Sequence, residues 1–198
     1  MATSGLSLWS LLLSSFLAAD KGEEKPGSLA ELYTQTILGA VTGTLGIPYD
    51  ANPTKACSQC LTMVGPAKLR SFGELLLEVW QRGVPGDVLE AGAWRGGVGL
   101  YAAALMRAHG SMAEDREHGE RRIVLADSFT GIPQPLSAAS SPHHKIDFHH
   151  LQLESVKDVF QNFGLLSERV RFAAGPFLAT LPRLRLEYLR EGRRLSVL

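Results

Sequence analysis

Asp87-Val88-Leu89-Glu90-Ala91-Gly92-Ala93-Trp94-Arg95-Gly96-Gly97, continued by VGLYAAALMRA over Val98–Ala108, is the stretch on which the fold turns. Its opening run is short, apolar and closed by glycine, the pattern of a buried strand with Glu90 near the carboxyl end. Its closing run repeats apolar residues at helical spacing. Between the two, glycines let the backbone approach a ligand closely. A strand, a glycine turn and a helix together aim backbone N–H groups and a helix N-terminus at whatever lies above them.

The glycine spacing narrows the ligand. A dinucleotide fingerprint requires G-x-G-x-x-G after the strand, but Trp94 stands where the second glycine belongs. No G-K-[ST] phosphate loop is present either. What stands is E-x-G-x-x-x-G-G, with Glu90 two positions before Gly92. That pattern suits the amino-acid end of S-adenosylmethionine, which carries no phosphate. Downstream, RIVLAD over Arg122–Asp127 reads as a second strand, followed by Ser128-Phe129-Thr130-Gly131. Ligands of doubly wound sheets sit beyond the carboxyl ends of the strands. Asp127 there can accept both hydrogen bonds of a ribose 2′,3′-diol, or it can serve as a helix-cap or turn aspartate.

A third unit follows. Leu151–Gly164 reads as an amphipathic helix with Leu153, Val156, Val159, Phe160 and Phe163 inward and Gly164 just past its end. Arg169–Ala173 (RVRFA) reads as a strand and Gly175-Pro176-Phe177 as the turn after it, placed to flank an adenine. A helix over Phe177–Leu189, broken near Pro182, leads to Leu195–Leu198, which looks like the start of a buried strand. The expected architecture is α/β: a doubly wound, Rossmann-like parallel sheet of about four strands, preceded by N-terminal helices.

Upstream, Ala67–Gln81 carries Leu69, Phe72, Leu75, Leu76 and Val79 on one helical face, and Ser28–Gly43 reads as a helix with Ser28 and Glu31 as a capping box. Thr44–Ala56 is a Gly/Pro/Asn-containing loop, and Asp20–Gly27 a charged break. Leu6–Ala19 is apolar and serine-rich, too short to span a bilayer. It reads either as a secretory or organelle-targeting segment lacking the usual basic start, or as a buried or partner-binding helix. The division is thus 1–27, an apolar segment and linker; 28–82, a helical lid-like region; and 83–198, the N-terminal part of the sheet domain.

Composition excludes other classes. Of 198 residues 45% are apolar and 20% charged, which is globular. Twenty basic residues balance twenty acidic ones, so no nucleic-acid footprint exists at the level of the whole chain. The two cysteines form a single C-x-x-C, Cys57 to Cys60, read as incidental thiols. Four of six histidines fall in His143–His150 around Asp147, and a surface loop is favoured there over a metal site. Five arginines and two glutamates between Arg183 and Arg194 read as a solvated helix face.

These segments together resemble one family. Thr62-Met63-Val64-Gly65, Gly83–Glu90, Trp94-Arg95-Gly96-Gly97, Ala126-Asp127-Ser128-Phe129, Gly131-Ile132-Pro133, Gly164-Leu165-Leu166 and Val170-Arg171-Phe172 resemble the macrocin O-methyltransferase family. Its members are S-adenosylmethionine- and magnesium-dependent O-methyltransferases of natural-product sugars. The likeness runs from about Leu61 to Leu198. It implies Glu90, Gly92, Trp94, Arg95 and Gly96 lining the methionine end of the cofactor, and Asp127 and Ser128 holding the ribose. It also implies the Gly175–Phe177 turn beside the adenine, and Met63 helping to close the pocket. The implied acceptor is a sugar-like small molecule. The expected compartment is the cytoplasm, with secretory or organelle targeting by residues 1–19 as the alternative.

Departures from the pattern carry expectations of their own. Pro176 stands where the family has Trp, and Val159 where it has Asn before Phe160. The family's Asp-Gly-Asp and later Asp-Asp motifs, which hold magnesium and supply a base, have no counterpart before Leu198. Asp147, Glu154 and Asp158 are not marked as substitutes. The expectation is a C-terminally truncated domain without metal or catalytic residues, inactive or very weak alone. The alternative is a non-catalytic cofactor-binding remnant, or an interaction protein using an open sheet edge, which would also favour a homo-oligomer.

Overall fold

The computed structural model describes residues 28–45, 60–110, 120–131 and 152–198. Leu6–Ala19, Cys57 and the His143–His150 cluster lie outside the described residues.

Helix α1 spans Leu29–Thr42. Ser28 Oγ accepts the Glu31 N–H at 3.1 Å, and Gly43 closes the helix at φ 69°. A cap of this kind contributes about 1 kcal/mol. Helix α2 spans Pro66–Gln81, with proline at its start, where the missing N–H has no helical partner to lose. Its buried stripe is Leu69, Gly73, Leu76 and Trp80. Leu75, expected inward, is 61% exposed. The stripe passes through Gly73, where a Cβ would stand 2.8 Å from the Tyr101 hydroxyl. A glycine carries no hydropathy signal, so the apolar pattern points one residue row aside.

Strand β1 is Asp87–Ala91, helix α3 Gly97–His109, strand β2 Ile123–Asp127, helix α4 Leu153–Asn162, strand β3 Val170–Ala174, helix α5 Phe177–Glu191 and strand β4 Leu195–Val197. The four strands form one sheet in the order β3-β2-β1-β4. All pairings are parallel, with Glu90 opposite Leu125 and Leu125 opposite Phe172. Alternation along the strands divides the core. Val88, Ile123 and Leu125 face the larger cluster formed with α1–α4, while Leu89, Val124 and Ala126 meet Tyr188 of α5 on the opposite face.

Two further expectations change. Helix α5 runs unbroken through Pro182. The carbonyl four residues back belongs to Leu178, which is 94% exposed, so water can take the bond that proline forfeits. The final strand is not buried: β4 is the described sheet edge, with Leu195 42% exposed.

A charged node fixes the amino end of the sheet. Asp87, fully buried, accepts from Tyr188 Oη (2.6 Å), Arg193 Nε (2.9 Å) and Nη2 (2.6 Å), and the Arg122 N–H (2.8 Å). Burial and the bond to Asp87 push the Tyr188 phenol far up, and the same carboxylate raises Arg193. Arg121, also fully buried, donates to the Gly86 and Val84 carbonyls and to Ser196 Oγ. These bonds tie α5 and β4 to β1 at one end and leave the carboxyl ends of the strands for a ligand.

Candidate cofactor site

The turns after β1, β2 and β3 lie side by side at the carboxyl edge of the sheet. After β1 the chain bends at Gly92, φ 93°, where an added Cβ would meet nothing within 4 Å. This glycine faces open space. The others in the motif do not. At Gly96 a Cβ would stand 2.9 Å from Val156 and 3.0 Å from Phe160 of α4, so its bare face serves helix packing. At Gly97 it would stand 2.6 Å from the Leu61 backbone.

That last approach joins the 60–64 segment to the glycine turn. Gly97 N–H donates to Leu61 O (2.9 Å), Arg95 Nη1 to Cys60 O (2.9 Å), and Leu61 N–H to Val41 O of α1 (2.8 Å). Met63 rides on this strap, 55% exposed. The Arg95 guanidinium stacks over Trp94, 4.5 Å from the ring centroid. Cys60 is disulfide-bonded rather than a thiol.

Glu90, next to last in β1, accepts the Gly99 N–H of α3 on its Oε2 at 2.9 Å. Burial pushes its carboxyl up to about 8, against the Gly99 bond, which lowers it, and with nearby Asp127 adding to the rise. Beside it lies an open cavity of about 400 Å³, lined by Phe72, Val98, Ala102 and Val197 as well as Glu90 and Gly99. Sequence reasoning passes over Gly99. A Cβ there would press on Leu125 at 2.8 Å and on Glu90 Oε2 at 3.1 Å. Its signal is a glycine inside a strongly helical run, which is costly unless something must come close.

Asp127 ends β2. Its Oδ2 accepts the Trp94 N–H at 2.9 Å and its Oδ1 the Phe129 N–H at 3.1 Å. Ser128 Oγ lies 2.8 Å from Gly131 O and 3.3 Å from Asp127 Oδ1. After β3, Gly175 (φ 126°) donates its N–H to Asp127 O at 2.9 Å, and Phe177, 41% exposed, opens α5. Of the expected site residues, Glu90, Gly92, Trp94, Arg95, Asp127, Ser128, Gly175 and Phe177 thus lie on these three strand ends and their turns. Gly96 faces α4, and Met63 lies on the strap. Among the described residues no group of three or more His, Cys, Asp or Glu side chains could hold a metal ion. No described helix is long and apolar enough to cross a membrane.

A parallel sheet in this order, helices on both faces, and acidic residues at the tips of its two central strands define a class I methyltransferase fold. The O-methyltransferase NovP has this architecture at a TM-score of 0.63 and 28% identity, over 77% of this chain and 67% of that one. The chain belongs to the TylF macrocin-O-methyltransferase family, whose model matches residues 49–194. It is 37% identical over 127 residues to the 8-demethyl-8-(2,3-dimethoxy-alpha-L-rhamnosyl)-tetracenomycin-C 4'-O-methyltransferase of Streptomyces olivaceus, covering 61% of this chain and 46% of that protein. It is 33% identical over 136 residues to the mycinamicin III 3''-O-methyltransferase of Micromonospora griseorubida, covering 65% and 51%. The chain spans about half the length of the curated relatives it matches.

Proposed function

We propose that the carboxyl edge of β1, β2 and β3 binds S-adenosylmethionine, and that the protein is an O-methyltransferase acting on a hydroxyl of a glycosylated small molecule. The observation that carries this is Gly92, the motif glycine whose bare face meets nothing within 4 Å, in the turn that follows Glu90 of β1 and beside the strand that ends in Asp127. The cofactor has a cationic amino-acid end and a ribose diol; acidic groups at neighbouring strand tips complement both. In this reading Glu90, Gly92, Trp94 and Arg95 meet the methionine end and Gly96 shapes the turn. Asp127 and Ser128 face the ribose, Gly175 and Phe177 flank the adenine, and Met63 closes the entrance. S-adenosylmethionine, when bound, supplies an electrophilic methyl group on its sulfonium.

The acceptor class follows the relatives, whose names specify rhamnosyl-tetracenomycin, novobiocin and mycinamicin substrates. Magnesium is different: among the described residues no group of three or more His, Cys, Asp or Glu side chains offers a ligand set for it. Cytoplasmic residence belongs to the same reading. The domain division at residues 28–82 and 83–198 is proposed as lid and cofactor half.

The test is titration of the 198-residue chain with S-adenosylhomocysteine, then transfer of labelled methyl from S-adenosylmethionine to glycosylated acceptors, with and without magnesium. Saturable binding of one cofactor per chain is expected. Binding without transfer in either condition would favour the non-catalytic reading, and absence of binding would refute both.

A further inference from the structure

Among the described residues only two non-glycine residues have positive φ: Trp94 at 48° and Phe129 at 52°. Large side chains rarely adopt this conformation, and it persists only where the surroundings hold it. Trp94 lies in the turn after β1 and Phe129 in the turn after β2. Both donate their backbone N–H to one carboxylate, Trp94 to Asp127 Oδ2 and Phe129 to Asp127 Oδ1. The carbonyl of the same residue accepts the Gly175 N–H from the turn after β3. One residue therefore receives an N–H from each of the three turns that rim the cleft.

We propose that Asp127 is a positioning residue for the cofactor site: its carboxylate holds the first two turns in their strained conformations, and so shapes the pocket whether or not it also touches the ribose. Hydrogen-bond capacity supports this. A carboxylate offers about four acceptor positions. Two are taken by amides on opposite oxygens, and Ser128 Oγ stands 3.3 Å from a third. A diol wanting two bonds would compete with the turns. Phe129 is anchored edge-on against Phe172 at 6.2 Å, which fixes its ring and leaves its backbone to Asp127. Asparagine cannot replace the carboxylate, because its amide presents one oxygen and one N–H₂ to two N–H donors.

The binding arm of the test rests on the cofactor reading above; the exchange arm does not. In the binding arm, Asp127→Asn and wild type are titrated with S-adenosylhomocysteine and with its 2′,3′-dideoxy analogue. A positioning role lowers affinity for both ligands, including the one without the diol, by about tenfold or more, the weight of a charge-assisted bond. A loss confined to the ligand that carries the diol would overturn the proposal, since it would make Asp127 a ribose ligand only. In the exchange arm, amide hydrogen exchange is measured on the cofactor-free wild-type chain. Protection of the Trp94 and Phe129 amides, lost together in Asp127→Asn, is expected, with far-UV circular dichroism unchanged. Unprotected amides at both positions in wild type would overturn the proposal even where the variant fails to fold. Protected amides with no binding of either ligand would uphold the clamp and refute the cofactor reading.

Discussion

Replacing Glu90 by glutamine should stabilise the cofactor-free chain at neutral pH while weakening its binding of cofactor. The Glu90 carboxyl, ordinarily near 4.5, is pushed up to about 8 in the folded chain because burial disfavours its charged form. Below 4.5 folded and unfolded chains both hold the proton, and the residue costs nothing. Between 4.5 and about 8 the unfolded chain has lost a proton that the folded chain keeps, so stability falls as pH rises, by about 1.4 kcal/mol per unit. Above about 8 the full cost is in place. A glutamine side chain at this position cannot ionise, and its carbonyl oxygen can still accept the Gly99 N–H now bonded to Oε2. The gap between Glu90→Gln and wild type should therefore be smallest near pH 5 and grow toward pH 8, reaching at most about 3 kcal/mol at pH 7. Urea unfolding followed by circular dichroism at a series of pH values, comparing midpoints at constant slope, measures this directly. Curves for the two proteins that stay parallel across the range would refute the reading that desolvation disfavours the charged form of Glu90.

The same residue links binding to protons. If the ionised carboxylate is the form that meets the cationic cofactor, affinity measured by calorimetry should rise up to about tenfold per pH unit below about pH 8 and level off above it, with proton release detectable in buffers of different ionisation heat. Gly97→Ala should cost several kcal/mol, whereas an ordinary Gly→Ala change inside a helix stabilises by about 0.5–1 kcal/mol, because here the Cβ meets Leu61 backbone that cannot swing aside; thermal melts will show it. In α2, Leu76→Ala should destabilise by about 2–5 kcal/mol while Leu75→Gln stays within about 0.5 kcal/mol, a contrast that chemical denaturation resolves.

Much of the fold is legible in the chain itself because the decisive signals are local. Strand β1, the glycine turn and α3 follow from apolar runs broken at Gly92, and the N-cap at Ser28 from its own side chain. Asp127 can be placed at a strand end, but not its partners: Trp94 is 33 residues away, and only the parallel register of β1 on β2 brings its N–H to the carboxylate. The separate tasks of the glycines are equally hidden. Gly92, Gly96, Gly97 and Gly99 are the same letter, yet one faces a cleft, one faces α4, one the Leu61 backbone and one the Glu90 carboxylate. Leu75 misleads because the true stripe contains a glycine. Pro182 reads as a break because solvent access to the Leu178 turn is a tertiary property. The node at Asp87 joins residues 106 positions apart, a distance no periodicity reports.

The central claim is that the open face of Gly92 is where the cofactor sits. Calorimetric titration of S-adenosylhomocysteine into wild type and Gly92→Ala tests it most directly. The added methyl meets no protein atom within 4 Å, so the variant should keep its fold apart from the backbone strain of φ 93°. Saturable binding by wild type with clear loss in a folded Gly92→Ala is the predicted result. Equal binding by both proteins, or none by wild type, would contradict it.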